Sequence, residues 1–271
     1  MPVSVSNQIN LSSASASIKN GTYNSVMIFN NLNVMQKNKN VLYNQISLIH
    51  AQIPISYYTI NDNNNLFVLS TGSYTLTNGN YNATSFKTMF LSLLGTGWTM
   101  TLDTATGKFT LTKTGGYTIL ASTTCYKILG LAKNTSYTAT SSLTMPFPCN
   151  FLGPNRLKIK SAVFKTDNLD TNSNGHNELL ATIPVDEAQY ALITYENLIG
   201  FKNTITNTDI NYIDITITDE DDNYLNFNGI DIYLTLQIDS IIQDFENNSD
   251  LVELLNPGAT PPGRPPLGKI K

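Results

Sequence analysis

The sequence is poor in charged residues, which make up only 13% of its 271 residues, or about half the share that is usual in soluble domains. The formal net charge of -4 is too small to indicate electrostatic binding to nucleic acid. Solubility must therefore depend on Asn, Ser and Thr, which cost less to bury at a contact surface than charged groups do. This composition favours a protein with large contact surfaces.

Cysteine and histidine are almost absent: the chain has only Cys125, Cys149, His50 and His176. Two cysteines exclude a disulfide framework and leave both a reducing compartment and a single bridge open. A zinc site needs several Cys, His or acidic ligands at suitable spacing, and the sequence has no such cluster, so we predict no bound metal and no cofactor. It also lacks a phosphate-binding glycine loop and the common hydrolase motifs. We therefore predict no catalytic residues and no enzyme.

Long apolar runs are also missing. No stretch approaches the roughly 18 apolar residues that a spanning helix needs, so we predict no membrane span. The first residues have neither a basic start nor a continuous apolar segment, so we predict no secretory signal.

What the sequence does have is alternation of apolar and polar residues, and it is clearest near the C-terminal end. Ile213, Ile215 and Ile217 alternate with polar residues, and the same pattern runs from Ile230 to Ile238. Because successive side chains of a strand point to opposite faces, both segments predict half-buried strands. A change of phase at Asn228-Gly229 predicts a bulge or a sharp bend there.

Shorter segments of the same kind recur along the chain, and together they predict about ten strands. One helix is predicted from the apolar stripe of Phe86, Met89, Phe90, Leu93 and Leu94. Strands and helices do not alternate, which favours an antiparallel sandwich or barrel. The main strand predictions are Tyr23–Phe29, Val41–Ile53, Tyr57–Ile60, Leu66–Ser70, Tyr74–Thr77, Trp98–Leu102, Lys108–Lys113, Tyr117–Ala121, Leu157–Phe164, Leu179–Val185 and Tyr190–Tyr195.

The two ends of the chain lack this pattern. We predict an N-terminal arm over residues 1–20, one β-domain over 21–245, and a Pro/Gly-rich C-terminal tail over 246–271. The tail carries Arg264, Lys269 and Lys271, which predict at most weak, salt-sensitive contact with nucleic acid.

Three weaker signals each have a functional and a structural interpretation. Asp170–Gly175 matches the opening of a calcium loop, but Ala181 stands where the loop needs a bidentate Glu, and Glu178 comes too early. We favour a simple turn there. The carboxylates of Asp219–Asp222 could bind a cation or act as an acid–base pair, but an exposed, solvated turn is favoured. His50 stands at strand spacing from Leu48 and is interpreted as a barrel-end or interface residue.

Five segments occur in an order that resembles the penton, or vertex, capsid proteins of virophages, Polinton-like viruses and related double-stranded DNA viruses. The resemblance covers about residues 40 to 240. The segments are SLIHAQIPISYYTINDNNN, GNYNATSFKTMFLSLL, TATGKFTLT, YKILGL and ITDEDDNYLNFNGIDIYLTLQI.

The resemblance implies a single jelly-roll antiparallel β-sandwich with one amphipathic helix in an insertion and extended N- and C-terminal arms. It also implies a homopentamer at the five-fold vertices of an icosahedral virion, assembled inside the host cell. The implied neighbours are capsomers of a double jelly-roll major capsid protein, with minor capsid or cement proteins as further partners. The family has no catalytic residues to transfer to this chain.

A different class of function stays open beside this one. Jelly rolls often bind sugars, and the Asn/Asp-rich loops at residues 61–65 and 170–175 suit calcium and glycan. The alternative hypothesis is therefore a lectin-like or receptor-binding module on a viral surface. Calcium-dependent binding on a glycan array would distinguish it from a purely structural protein.

Overall fold

The computed structural model describes residues 2–30, 41–166, 178–205 and 210–243. The strands are β1 Pro2–Ser12, β2 Ile18–Lys19, β3 Val26–Asn30, β4 Val41–Pro54, β5 Leu66–Leu69, β6 Gly72–Thr75, β7 Trp98–Asp103, β8 Lys108–Lys113, β9 Tyr117–Ile119, β10 Tyr137–Ala139, β11 Ser142–Thr144, β12 Arg156–Lys160, β13 Leu179–Pro184, β14 Leu192–Glu196, β15 Asn203–Ile205, β16 Tyr212–Thr218 and β17 Tyr233–Gln243. The helices are α1 Ala83–Leu94 and α2 Tyr126–Leu129.

Two five-stranded antiparallel sheets form the body of the protein. The first has the order β1-β17-β4-β14, with β15 also on β4, and the second has the order β13-β12-β16-β3-β2. When β1, β3, β4, β12, β13, β14, β16 and β17 are lettered B to I in chain order, the sheets read B-I-D-G and C-H-E-F. That is the strand order of a jelly roll, so the single jelly-roll sandwich expected from the resemblance is confirmed by topology.

The core of this body is built by the alternating aliphatic residues. Ile213, Ile215 and Ile217 of β16 and Leu236 and Ile238 of β17 are all fully buried. They meet between the two sheets because every second side chain of each strand points inward. The alternation on which the strand predictions rested therefore marks the packed face of the sandwich.

Strand β4 shifts its register with β17 at two points, the second of them between Ile241 and Ile242. The register with β17 shifts between Thr235, which pairs with His50, and Leu236, which pairs with Leu48. Ile49 is thus an extra residue in β4, as in a β-bulge. The bulge lets both Leu48 and Ala51, which are an odd number of residues apart, be buried in the same core.

Residues between β4 and β12 form an insertion with a hydrophobic core of its own. Its strands make two small sheets, β10-β9-β5-β6 and β11-β8-β7, and α1 packs beside them. The core contains Phe67, Phe86, Phe90 and Phe109, and each of these rings is fully buried. The block predicted over residues 21–245 thus contains two packed cores.

Helix α1 follows the predicted stripe closely. Phe86, Phe90 and Leu94 are its buried residues. Its start is fixed by a capping box, in which the side chain of Asn82 accepts bonds from backbone N–H groups and Ser85 bonds back to the backbone of Asn82. It ends at Gly95, whose φ of 80° is in the region that favours glycine.

Most of the segment predicted as an N-terminal arm is an extended strand that pairs with the first sheet. Pro2–Ser12 form β1, which pairs with β17 along all eleven of its residues without a register shift. Most residues of β1 are small and polar, so its alternation of apolar and polar residues is weak. Leu11 is buried, and Ile9 packs against the core. The tail predicted over 246–271 lies outside the described residues.

Two of the other predicted strands also need correction. Residues 57–60 form no strand: Ile60 makes one isolated bridge to Gly79, and the segment passes from the body core at Tyr57 to the insertion core at Ile60. The last strand begins at Tyr233 and not at Ile230, which is 51% exposed. The bend predicted at Asn228-Gly229 is confirmed, because both residues have positive φ, 53° and 77°.

Candidate assembly surfaces

The acidic turn Asp219–Asp222 follows β16, and hydrogen bonds within the turn fix its conformation. The Asp219 carboxylate accepts bonds from the backbone N–H groups of Asp221 and Asn223, both at 2.9 Å, and from the Asn223 side chain at 3.0 Å. Asp222 has a φ of 67°, a left-handed conformation that Asp tolerates better than most residues. The turn is therefore a fixed structure that projects the next carboxylates in set directions.

Asp222 is not the solvated residue that the sequence indicated. Its Oδ1 lies 3.0 Å from Lys158 Nζ and 2.5 Å from Lys160 Nζ. The two lysine side chains on β12 are only 6% and 11% exposed. Burial alone would raise the pKa of Asp222, but the hydrogen bonds and charges of Lys160 and Lys158 outweigh it and hold that pKa below its ordinary value. The solvated-turn interpretation is wrong for this residue.

The same turn contacts the insertion. Lys127 of α2 places its Nζ 2.6 Å from Asp221 and 3.8 Å from Glu220. Burial lowers the pKa of Lys127, but the bond and charge of Asp221 outweigh it, so the pKa lies above its ordinary value. The acidic turn thus joins α2 of the insertion to β12 of the body through opposite charges.

A small cleft lies beside this junction. It has a volume of about 100 Å³ and is lined by the Asn-rich loop at residues 61–64, Tyr126 and the acidic turn. The loop amides are engaged within the protein: Asn63 donates to the carbonyl of Tyr224 at 3.0 Å, and Asn64 donates to that of Thr59 at 2.9 Å. The loop therefore ties the segment entering the insertion to the residues after the acidic turn.

The remaining residues singled out by sequence are dispersed. His50 lies on the outer face of the first sheet, between Thr235 and Glu196 of the flanking strands. Cys125 is buried and Cys149 is partly buried; both are free thiols, and burial raises the pKa of each. Within residues 2–30, 41–166, 178–205 and 210–243, no group of three or more His, Cys, Asp or Glu is placed to hold a metal ion.

Some sequence predictions cannot be placed. Asp170–Gly175 lie outside the described residues, as do Arg264, Lys269 and Lys271. Glu178 is described, and Ala181 lies in β13, where it pairs with Ile159. In the part of the chain that is described, no helix is long and apolar enough to cross a membrane.

An apolar loop between β14 and β15 was not found by sequence reasoning. Leu198 and Ile199 are 87% and 89% exposed, and Phe201 is half exposed. The loop is nonetheless ordered, because the Asn197 side chain accepts from the N–H of Phe201 at 3.0 Å and donates to its carbonyl at 2.8 Å. Two large aliphatic side chains are thus displayed on a braced turn.

An ion pair on the outer face of the first sheet holds the end of this loop. Lys202 Nζ lies 2.7 Å from Asp239 on β17, and the Asp239 side chain is only 1% exposed. Burial raises the pKa of Asp239, but hydrogen bonds from Lys202, Ser6 and Gln237 outweigh it and leave the pKa low. Strands β1, β17 and the loop are therefore connected by one carboxylate.

No protein family matches the chain, and no curated protein matches it. Among solved structures, the crystal structure of the penton protein of mavirus aligns with 88% of this chain and 100% of that chain, at 13% sequence identity and a TM-score of 0.45. The jelly-roll assignment itself rests on the strand order given above.

Proposed function

We propose that this chain is a structural capsid protein that forms homopentamers at the five-fold vertices of an icosahedral virion. Its neighbours there would be capsomers of a double jelly-roll major capsid protein. The proposal is supported by the positions of the five penton-like segments in the fold. In order, they cover the second half of the central strand β4, helix α1, strand β8 with the turn before it, helix α2, and the acidic turn with the first half of β17.

These segments include the parts that define the architecture. Strands β4 and β17 are neighbours at the centre of the first sheet, while α1 and α2 supply buried residues of the insertion core. The acidic turn and α2 form the junction through Lys127 and Asp221. The resemblance therefore covers the body, the insertion and their connection, as expected if it reflects a whole fold.

The surface chemistry also suits a subunit of a shell. A closed ring of identical subunits needs a heterologous contact, in which one face of each copy meets a different face of the next. Such faces are depleted in charge and carry exposed apolar residues at their centres. The chain has only 13% charged residues, and Leu198 and Ile199 project from a braced loop.

Native mass spectrometry of the purified protein tests the proposal. We expect a species of five copies whose abundance rises with protein concentration, and incorporation into particles when the major capsid protein is co-expressed. A protein that stays monomeric at all concentrations and binds glycans in a calcium-dependent way would contradict the proposal and favour the lectin-like alternative.

A further inference from the structure

Strand β1 lies at the edge of the first sheet, and within the described residues one side of its backbone is left unpaired. It pairs with β17 through all of Pro2–Ser12, and among the described residues no other strand pairs with it. Such an edge presents a row of N–H and C=O groups that can pair with a strand of another chain.

This edge has none of the features that usually protect an exposed strand. Natural edges carry charged side chains, interior prolines or bulges, or are very short. Between Pro2 and Ile18 the sequence has no charged residue, and its only proline is Pro2 itself. The β1–β17 register has no shift. A long, regular and uncharged edge of this kind is typical of a strand that is covered in the assembled protein.

The register identifies which backbone groups of β1 face outward. The N–H of Ser13 donates to the carbonyl of Ile232 at 3.0 Å, and this pair continues the β1–β17 register. Because hydrogen-bonded and non-bonded positions alternate along an antiparallel pair, the odd-numbered residues of β1 bond to β17. The even-numbered residues, including Gln8, direct their N–H and C=O groups to the open edge.

The other edge of the same sheet is formed by β14. The N–H of Asn197 donates to Ile49 at 3.0 Å, and the N–H of Ile55 donates to Ala191 at 2.9 Å. These bonds show that the odd-numbered residues face β4. The even-numbered residues, including Thr194, direct their backbone groups away from the sheet, and no other described strand pairs with β14.

The two edges are complementary in direction. Strand β17 is antiparallel to β1 and to β4, and β4 is antiparallel to β14. Strand β14 therefore runs opposite to β1, so a β14 strand placed against β1 of another copy in the same orientation makes an antiparallel pair. All neighbouring strands of the combined sheet would then be antiparallel.

We propose that β14 of one copy pairs with β1 of the next copy, so that the first sheets of neighbouring subunits continue into one another. This inference rests on the homopentamer of the proposed function, and it names the contact that closes the ring. It is a heterologous contact, because β1 and β14 are different edges of each subunit.

Apolar side chains flank both edges. Leu192 of β14 is 48% exposed, and the braced loop after β14 displays Leu198 and Ile199. On the other side, Val3 of β1 is 48% exposed. Backbone pairing would thus be accompanied by burial of aliphatic surface, which supplies affinity while the strand bonds supply register.

Proline substitution at outward-facing positions tests the contact. Gln8→Pro and Thr194→Pro each remove one open-edge N–H, and an edge strand tolerates this change because the bonds to its inner neighbour are untouched. Gln8→Thr and Thr194→Val keep the N–H and serve as matched controls. We expect each proline variant to weaken the five-copy species by roughly tenfold in native mass spectrometry, and the controls to resemble the wild type.

The outcomes separate this contact from the proposed function. A wild type without any five-copy species contradicts the homopentamer itself. A wild-type pentamer that both proline variants also form, or that only Gln8→Pro loses, overturns the pairing of β1 with β14.

Cross-linking gives a second test that does not depend on how well the proline variants fold. We expect Gln8→Cys together with Thr194→Cys, treated with a short bis-maleimide, to give covalent multimers of up to five copies. Wild type controls for Cys125 and Cys149. Dimers formed by Gln8→Cys alone would show β1 paired with β1 and would overturn the proposal.

Discussion

The body and the insertion are both β-rich, but they are packed in different ways. The body core is mostly aliphatic and includes Ile213, Ile215 and Ile217, while the insertion core is richer in aromatic rings, such as Phe86 and Phe90. The body includes a pairing between strands from opposite ends of the described chain, β1 with β17, whereas every strand pairing in the insertion lies within residues 66–144, as in the β7–β8 hairpin.

This difference predicts that the body and the insertion form at different stages of folding. Sequence-distant pairing makes the jelly roll depend on nearly the whole chain and slows its formation, while local hairpins around aromatic residues can form early. The two cores are joined by a charged junction at Asp221 and Asp222. We therefore expect substitutions in one core to affect that core first and the other through the junction.

The largest effect is expected in the insertion core. Phe86 is fully buried, with its ring centroid 5.2 Å from both Phe90 and Phe151. Phe86→Ala should cost about 3–5 kcal/mol in the free energy of unfolding of the insertion, as measured by denaturant titration with hydrogen exchange. Ser92→Ala, on the exposed side of the same helix, is the control and should be nearly neutral. Equal loss of protection in the strands of the body would contradict two separable cores.

Truncation of a side chain in the body core is expected to reduce hydrogen-exchange protection in the body and not in the insertion. Ile215 of β16 is fully buried between the sheets, so Ile215→Ala should cost about 2–4 kcal/mol. Hydrogen exchange should then accelerate in β16, β3 and β12 while α1 stays protected. If α1 loses protection to the same degree, the insertion cannot hold its structure without the body.

A moderate effect is expected at the junction. Asp222→Asn removes the charge that faces Lys158 and Lys160, and should cost about 1–3 kcal/mol, as measured by thermal unfolding at neutral pH. The control is Asp221→Asn, whose partner Lys127 is 46% exposed, and it should cost less than about 1 kcal/mol. Equal effects from both variants would show that burial of the two lysines does not matter.

The junction also predicts a pH dependence. Because the pKa of Asp222 is lower in the folded protein than its ordinary value, its contribution is present above that ordinary value and is lost as pH falls through the folded pKa. Stability of the wild type should therefore decline below about pH 4, and Asp222→Asn should decline less steeply. Parallel curves would mean that Asp222 does not carry this dependence.

The smallest effect on stability is expected at the solvent-exposed ion pair between the insertion and the acidic turn. Lys127→Met removes the pair with Asp221 but keeps most of the apolar stem. We expect a change below about 1 kcal/mol in low salt, falling further as salt screens the wild-type pair. A large, salt-independent loss would show that α2 packing, and not charge, holds the junction.

Residue patterns alone were sufficient for the elements with strong alternation or a clear helical stripe. The alternation of Ile213, Ile215 and Ile217 predicts β16, and Phe86 and Phe90 predict α1. Strand β1 was missed because the polar, exposed Asn7 interrupts the alternation of Val5, Ile9 and Leu11. The extra residue Ile49 was also missed, because a bulge depends on the register with a partner strand.

The contact surfaces were harder to predict because they bring together residues that are far apart in the sequence. Asp222 lies far from Lys158 and Lys160 in sequence, and only the β12–β16 pairing brings them together. Leu198 and Ile199 sit in a short segment that would be equally consistent with a buried strand. Their exposure follows from the turn that Asn197 closes with Phe201.

The central claim, that this jelly roll is a vertex subunit of a capsid, is tested most directly by an electron cryomicroscopy map of purified particles at the five-fold axes. The account predicts five copies of this chain around each such axis, with the first sheets of neighbouring copies continuous. Particles whose five-fold positions are filled by another protein, with this chain absent, would contradict it.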